Sequence, residues 1–211
     1  MEHVDFYIVL GAALLGGLSP GPVTLAVAGT GMARGRPMAL ALAYGASTGS
    51  FVWAAAAALG FGALLAAHQW LFEVIRYAGA AYLAWLGWKA ARAAMRPKET
   101  VARDVGVGSL GAAWAKGALL HLANPKAVIF WGSIFAIGVM PGTPVAAMPV
   151  AIAWIVTASL AVNLVVNTTW ALVFSNRRTM AGYARARRWI EGAFAAFFAG
   201  AAFKLVTVRA P

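Results

Sequence analysis

Long apolar runs separated by short polar breaks set the pattern of this chain. The runs lie at about 5–32, 38–67, 70–92, 110–138, 145–174 and 187–208, each long enough for the roughly 20 residues of a membrane-crossing helix. The breaks pair turn formers with charge or polarity: Arg34-Gly35-Arg36-Pro37, His68-Gln69, Arg96-Pro97-Lys98-Glu99, Pro141-Gly142-Thr143-Pro144 and Ser175-Asn176-Arg177-Arg178. Stretches such as 51–65 are rich in Ala, Leu and Gly and lack the two-residue alternation of a barrel strand, so the pattern predicts helices. The expected fold class is therefore an all-α integral membrane protein of six transmembrane helices, with residues 1–211 forming a single transmembrane domain.

Composition agrees. Of 211 residues 62% are apolar and 11% charged, against about 45–50% and about 25% in an ordinary soluble domain. That little polar surface cannot cover a water-soluble core, whereas a bilayer accepts apolar side chains outside. The net charge of +11 does not point to nucleic acid, because Lys and Arg cluster in the connections between apolar runs. Arg34 and Arg36 mark the first connection, Lys89, Arg92, Arg96, Lys98 and Arg103 the third, and Arg177, Arg178, Arg185, Arg187 and Arg188 the fifth. The second offers Arg76 with Glu73, the fourth no charge, and the N-terminal tail only Glu2 and Asp5. The positive-inside rule then makes the basic connections cytoplasmic and both termini periplasmic in a bacterial cell. The first run has no cationic leader and is interrupted at 19–22, which argues against a cleaved signal peptide.

The chain divides near 97–108 into a first half (about 1–96) and a second (about 109–211) of three runs each. An odd number of spans per half would make any repeat an inverted one, the arrangement in which secondary transporters build a midplane site. Two interrupted runs occupy corresponding places in the halves. Ser19-Pro20-Gly21-Pro22 lies near the middle of the first run, where proline removes amide donors and clashes with the preceding turn. A helix that stops there and restarts would show free N–H groups to a cavity, with Thr24 in its first turn. In the fourth run Asn124-Pro125 is again a capping residue followed by proline, with Lys126 beside it. Helix N-termini of this kind, each about +0.5 charge, receive anionic groups. Lys126 is the one formal charge expected well inside a span, so it needs a partner: a substrate carboxylate, the headgroups, or carbonyls freed by the break.

Other candidates are weaker. Asn163 and Asn167 share a face at i,i+4 and would either line the cavity or join helices. Gly45 and Gly49 suit close helix packing, Gly45 being carried also as a lining candidate, and small-residue faces of this kind would permit a homodimer. His121, one turn before the second break, is a candidate for proton coupling or a packing histidine. Gly45-Ala46-Ser47-Thr48-Gly49 also fits the G-x-S-x-G string, leaving an intramembrane serine protease with Ser47 and His121 as an alternative, and a non-transporting structural subunit as another. No metal, nucleotide or cofactor motif occurs, there is no cysteine, and no acidic residue is expected mid-span.

Beside these breaks stand Gly79, Tyr82, Leu83 and Gly87 in the third run, and Ala127, Phe130 and Trp131 after Asn124-Pro125-Lys126. Together with Pro20-Gly21-Pro22, these residues resemble, in order and spacing, the motifs of the LysE/RhtB family of bacterial amino-acid exporters. The resemblance covers essentially the whole chain. It implies export of an amino acid or similar small metabolite across the inner membrane by exchange with protons, with Pro20, Gly21, Pro22, Asn124, Pro125 and Lys126 in the translocation pathway. No enzymatic chemistry and no cofactor are expected. The expected partners are a small-molecule substrate and the lipid bilayer. A solute carboxylate on Lys126 with a neutral environment for its amine would favour small neutral amino acids.

Overall fold

A computed structural model describes residues 4–19, 21–67, 70–95, 104–139 and 143–207. Pro20 and the breaks at 68–69, 96–99 and 141–142 lie outside the described residues. The described chain forms eight α-helices: α1 Phe6–Leu18, α2 Pro22–Arg34, α3 Arg36–Ala67, α4 Trp70–Met95, α5 Leu110–Leu122, α6 Pro125–Gly138, α7 Met148–Leu172 and α8 Arg177–Thr207. A short 3-10 turn, Val145–Ala147, leads into α7. No β-strand occurs among the described residues beyond a single bridge between Val4 and Val139.

Two helical stretches, Arg36–Gly60 and Val145–Leu172, are each long and apolar enough to cross a membrane. The α1–α2 pair passes as a third span, bent by 51° at its break. One boundary differs from the apolar pattern: α8 starts at Arg177, ten residues before the expected run. The Asn176 side chain accepts the Arg178 amide at 2.8 Å and starts the helix, while Met180 and Tyr183 bury one face of its basic first turns.

Contacts at the helix ends arrange the bundle. The Asp5 amide donates to the Gly138 carbonyl at 2.9 Å, so the start of α1 meets the end of α6. At the opposite end Arg34, closing α2, holds Asp104 through Nε at 2.9 and 3.0 Å and the Val107 carbonyl through Nη1 at 2.9 Å. The turn at Ser175 packs on Gly31, which brings the first, third and fifth connections to that one end. Asp104 is held below the usual carboxylate range: desolvation, the largest single influence, raises it, but the Gly106 amide and the Arg34 guanidinium together lower it by more. Thus α1 and α6 fill one half of the bundle thickness and α2 and α5 the other. At ~1.5 Å per residue each 13- or 14-residue half-helix is about 20 Å long, so the two breaks meet near the middle.

Two apolar cores flank that level. One gathers Val9, Trp131, Ile134, Phe135, Ile155 and Phe198, and the other Val27, Leu42, Trp170, Met180 and Tyr183. Glycine sets the closest approach: a Cβ on Gly45 would land on the Trp114 carbonyl, and one on Gly117 on the Leu42 carbonyl. These are backbone-to-backbone contacts of α3 with α5, and no rotamer change relieves a clash there. Gly45→Ala should destabilise the protein by about 1–3 kcal/mol. Gly132→Ala, where an added methyl meets open space, should not. Thermal unfolding of the two purified variants in detergent measures the difference.

Candidate functional site

Where a helix stops inside an apolar bundle, its last carbonyls and first amides need partners. The α1 break leaves three carbonyls to other helices. Lys126 Nζ, from α6, donates to the Gly16 carbonyl at 2.6 Å and the Ser19 carbonyl at 3.2 Å. Tyr183 Oη, from α8, donates to the Leu18 carbonyl at 3.3 Å. At the α5 break Trp53 Nε1, from α3, donates to the Leu122 carbonyl at 3.3 Å. Lys126 therefore does not extend to the headgroups. Its ammonium caps the negative end of α1 and at the same time borders the central cavity.

The restarting helices are not equivalent, contrary to the expectation that both show bare amides. In α6 the Asn124 side chain accepts the Lys126 amide at 3.1 Å, and the Asn124 carbonyl accepts the Ala127 amide at 2.9 Å. Proline supplies no donor between them, so this N-terminus is closed upon itself. In α2, Gly21 is extended (φ −130°, ψ 177°) and has no side chain to cap with. Thr24 Oγ1 folds back instead, accepting from the Gly21 amide at 2.9 Å and donating to the Gly21 carbonyl at 3.1 Å. The amides of Val23 and Thr24 find no acceptor among the described residues, and both residues border the cavity.

At the level of the breaks lies a cavity of about 100 Å³. Every one of the eight helices contributes to its wall. It brings together Ser19, Gly21, Thr24, His121, Asn124, Lys126, Asn163 and Asn167. Asn167 Nδ2 donates to Asn163 Oδ1 at 3.1 Å and to Ser47 Oγ at 3.0 Å, so this pair both lines the cavity and ties α7 to α3. Three candidates are not brought in. Gly45 is a packing contact away from the wall, and Pro22 and Pro125 are exposed outside it. Ser47 donates to the Ala43 carbonyl at 3.2 Å, so a backbone oxygen rather than His121 holds the proton that a nucleophile would have to give up.

Sequence reasoning passed over several wall residues. Ser159 is fully buried and its hydroxyl has no partner among the described residues, whereas Thr168 and Thr169 on the same helix bond back one turn at 2.8 Å. Tyr82 Oη and His121 Nε2 are likewise unpartnered on the wall. Ser50 accepts from Trp131 Nε1 at 3.1 Å. A signal for Ser159 did exist: with Asn163 and Asn167 it forms an i, i+4, i+8 polar stripe on a mostly apolar helix. Behind the wall Glu191 is 4% exposed, a buried carboxylate that the expected boundary of the last span had placed at its edge.

Residues 14–209 match the family described as LysE type translocator. Over 206 residues the chain is 32% identical to a threonine efflux protein of Salmonella typhimurium, covering 97% of this chain and 98% of that one. It is 35% identical over 195 residues to the threonine efflux protein of Escherichia coli K12, covering 91% and 92%. A homoserine/homoserine lactone efflux protein of Salmonella typhimurium is 30% identical over 194 residues, covering 89% and 84%. No solved structure matches the chain.

The self-capped restart of α6 has a measurable consequence. Asn124→Ala should lower stability by about 1 kcal/mol by leaving the Lys126 amide without its acceptor, and Asn124→Ser should recover most of that. Unfolding midpoints of the two variants in detergent test the assignment.

Proposed function

Because the chain belongs to the LysE type translocator family, a family of multi-pass membrane transporters and not of enzymes, we propose that it exports a small neutral amino acid. The observation that carries this reading is the central cavity, which combines the Lys126 ammonium and the Val23 and Thr24 amides, without an acceptor among the described residues, with an otherwise neutral wall. The solute carboxylate binds at the ammonium and the amides, where the third N–H of Lys126 and the α2 dipole both favour an anion. Its amine and side chain meet neutral groups: Asn163, and the unpartnered Tyr82, His121 and Ser159. Among the described residues the wall holds no acidic side chain, which favours neutral solutes over lysine or arginine. The threonine efflux relatives support threonine as the first solute to try.

Six spans arranged as two inverted halves, counting α1–α2 and α5–α6 as one broken span each, complete this reading. The pairing of α1 with α6 and of α2 with α5 at opposite ends supports that count. Gathering of the basic connections at one end supports a cytoplasmic placement there, periplasmic termini and residence in the bacterial inner membrane. Rocking of the halves about the cavity alternates access, protons exchange for solute, and the glycine-bearing faces permit a homodimer.

Counterflow of labelled threonine into proteoliposomes tests the proposal. The wild-type protein should show it, and Lys126→Ala should reduce it at least about tenfold, a loss of roughly 1.4 kcal/mol of solute interaction, while the protein is still recovered from the membrane. Unchanged counterflow in that variant would remove Lys126 from the mechanism, and none in the wild type with any amino acid would end the export reading.

A further inference from the structure

A hydroxyl on a helix inside an apolar bundle can satisfy its proton by donating to the carbonyl one turn back on its own helix. Ser47, Thr48, Ser133, Thr168 and Thr169 all do so, at 2.7–3.2 Å. Ser159, near the middle of α7 and 1% exposed, does not: its Oγ has no partner of either kind among the described residues. It borders the cavity. A buried hydroxyl left unmatched is a standing cost, which a ligand presenting the complementary groups removes.

Its neighbours along α7 fix its level in the bundle. Ile155, one turn earlier, lies against Gly138 in the same core as Val9, whereas Val166, two turns later, lies against Gly17. Ser159 is therefore displaced from the breaks toward the start of α1. Lys126 Nζ, on the Gly16 and Ser19 carbonyls, stands near the level of Val166. Seven residues separate Val166 from Ser159, about 10 Å of helix rise. Asn163 lies between the two levels on the face of α7 that carries Ser159. Around Ser159 the wall is apolar: Ala12, Leu83 and Phe198 line the cavity and share one core with Ile155. A carboxylate bonded to Lys126 and a hydroxyl bonded to Ser159, at about 2.8 Å each, leave about 4–5 Å between the two solute oxygens, the span of a three- or four-carbon skeleton.

We propose that Ser159 determines specificity by reading the solute side chain: it exchanges hydrogen bonds with a side-chain hydroxyl, so that the exporter selects small hydroxy amino acids over apolar ones of the same shape. The proposal rests on the export reading above and deepens it. A hydroxyl both donates and accepts and so meets both needs of Ser159, whereas an ammonium only donates and a methyl does neither. The solute ammonium falls instead at the level of Asn163, whose Oδ1 accepts from Asn167 and keeps a second lone pair. Valine has the shape of threonine with a methyl in place of the hydroxyl. Seating it fills the space beside Ser159 and leaves the serine unmatched, which is how a polar site rejects an apolar isostere.

Counterflow in proteoliposomes, with threonine against valine and serine against alanine, tests the assignment through half-saturating concentrations. The wild-type protein should prefer the hydroxyl-bearing member of each pair by about tenfold or more. Ser159→Ala should raise the half-saturating concentration for threonine and serine about tenfold, leave those for valine and alanine unchanged, and so bring both ratios toward one. A wild type that does not distinguish threonine from valine would overturn the proposal. So would a variant that keeps the wild-type ratios, or one that loses all four solutes equally, the result expected of a merely structural serine. Each of these leaves export standing, because the wild type still transports; absence of counterflow by the wild type with any amino acid would instead strike the export reading and this proposal with it.

Discussion

Backbone carbonyls freed inside an apolar bundle dominate this structure. A helix that ends in mid-bundle leaves C=O groups that neither lipid nor apolar side chains can satisfy, at several kcal/mol each in hydrocarbon. Three long side chains meet the demand from a distance: Lys126 and Tyr183 at the end of α1, and Trp53 at the end of α5. Each comes from a different helix, so the breaks hold the bundle together as much as they interrupt it. The cavity forms where the chain's own polar groups already have to be gathered.

The same demand explains why the two restarts differ locally. Asparagine before proline closes the restart of α6 with its own side chain, whereas glycine before proline leaves the restart of α2 open. The α6 restart thus contributes an ammonium and a sealed helix end, and the α2 restart two amides without an acceptor among the described residues. An anionic group fits this asymmetric pair better than it would fit two equal N-termini, because the ammonium adds a full charge where the closed amides offer none.

Around this level the packing follows from residue size. Gly45 and Gly117 let α3 and α5 approach backbone to backbone, which positions His121 and the α5 break against the cavity. Trp170, Phe174 and Tyr183 pack tilted and edge-to-face at 4.4–5.3 Å and fix the angle at which the Tyr183 hydroxyl reaches the Leu18 carbonyl. Apolar packing and polar satisfaction here act through the same side chains, as at Tyr183, whose ring belongs to the core and whose hydroxyl belongs to the break.

The sequence alone determined the helical class, nearly every helix boundary and the position of both breaks, because hydrophobic runs, proline and capping residues are local signals. Membership of the family was also legible, in short motifs such as Asn124-Pro125-Lys126-Ala127. What tertiary structure decided was the partner of each polar group. Lys126 turned to carbonyls of α1 more than a hundred positions away. Ser159 turned from its own helix toward the cavity, and Glu191 became buried because basic residues before it continued a helix that hydropathy would have started later. Hydropathy averages over neighbours in the chain, whereas burial and hydrogen bonding depend on neighbours in space, and only the folded bundle supplies those.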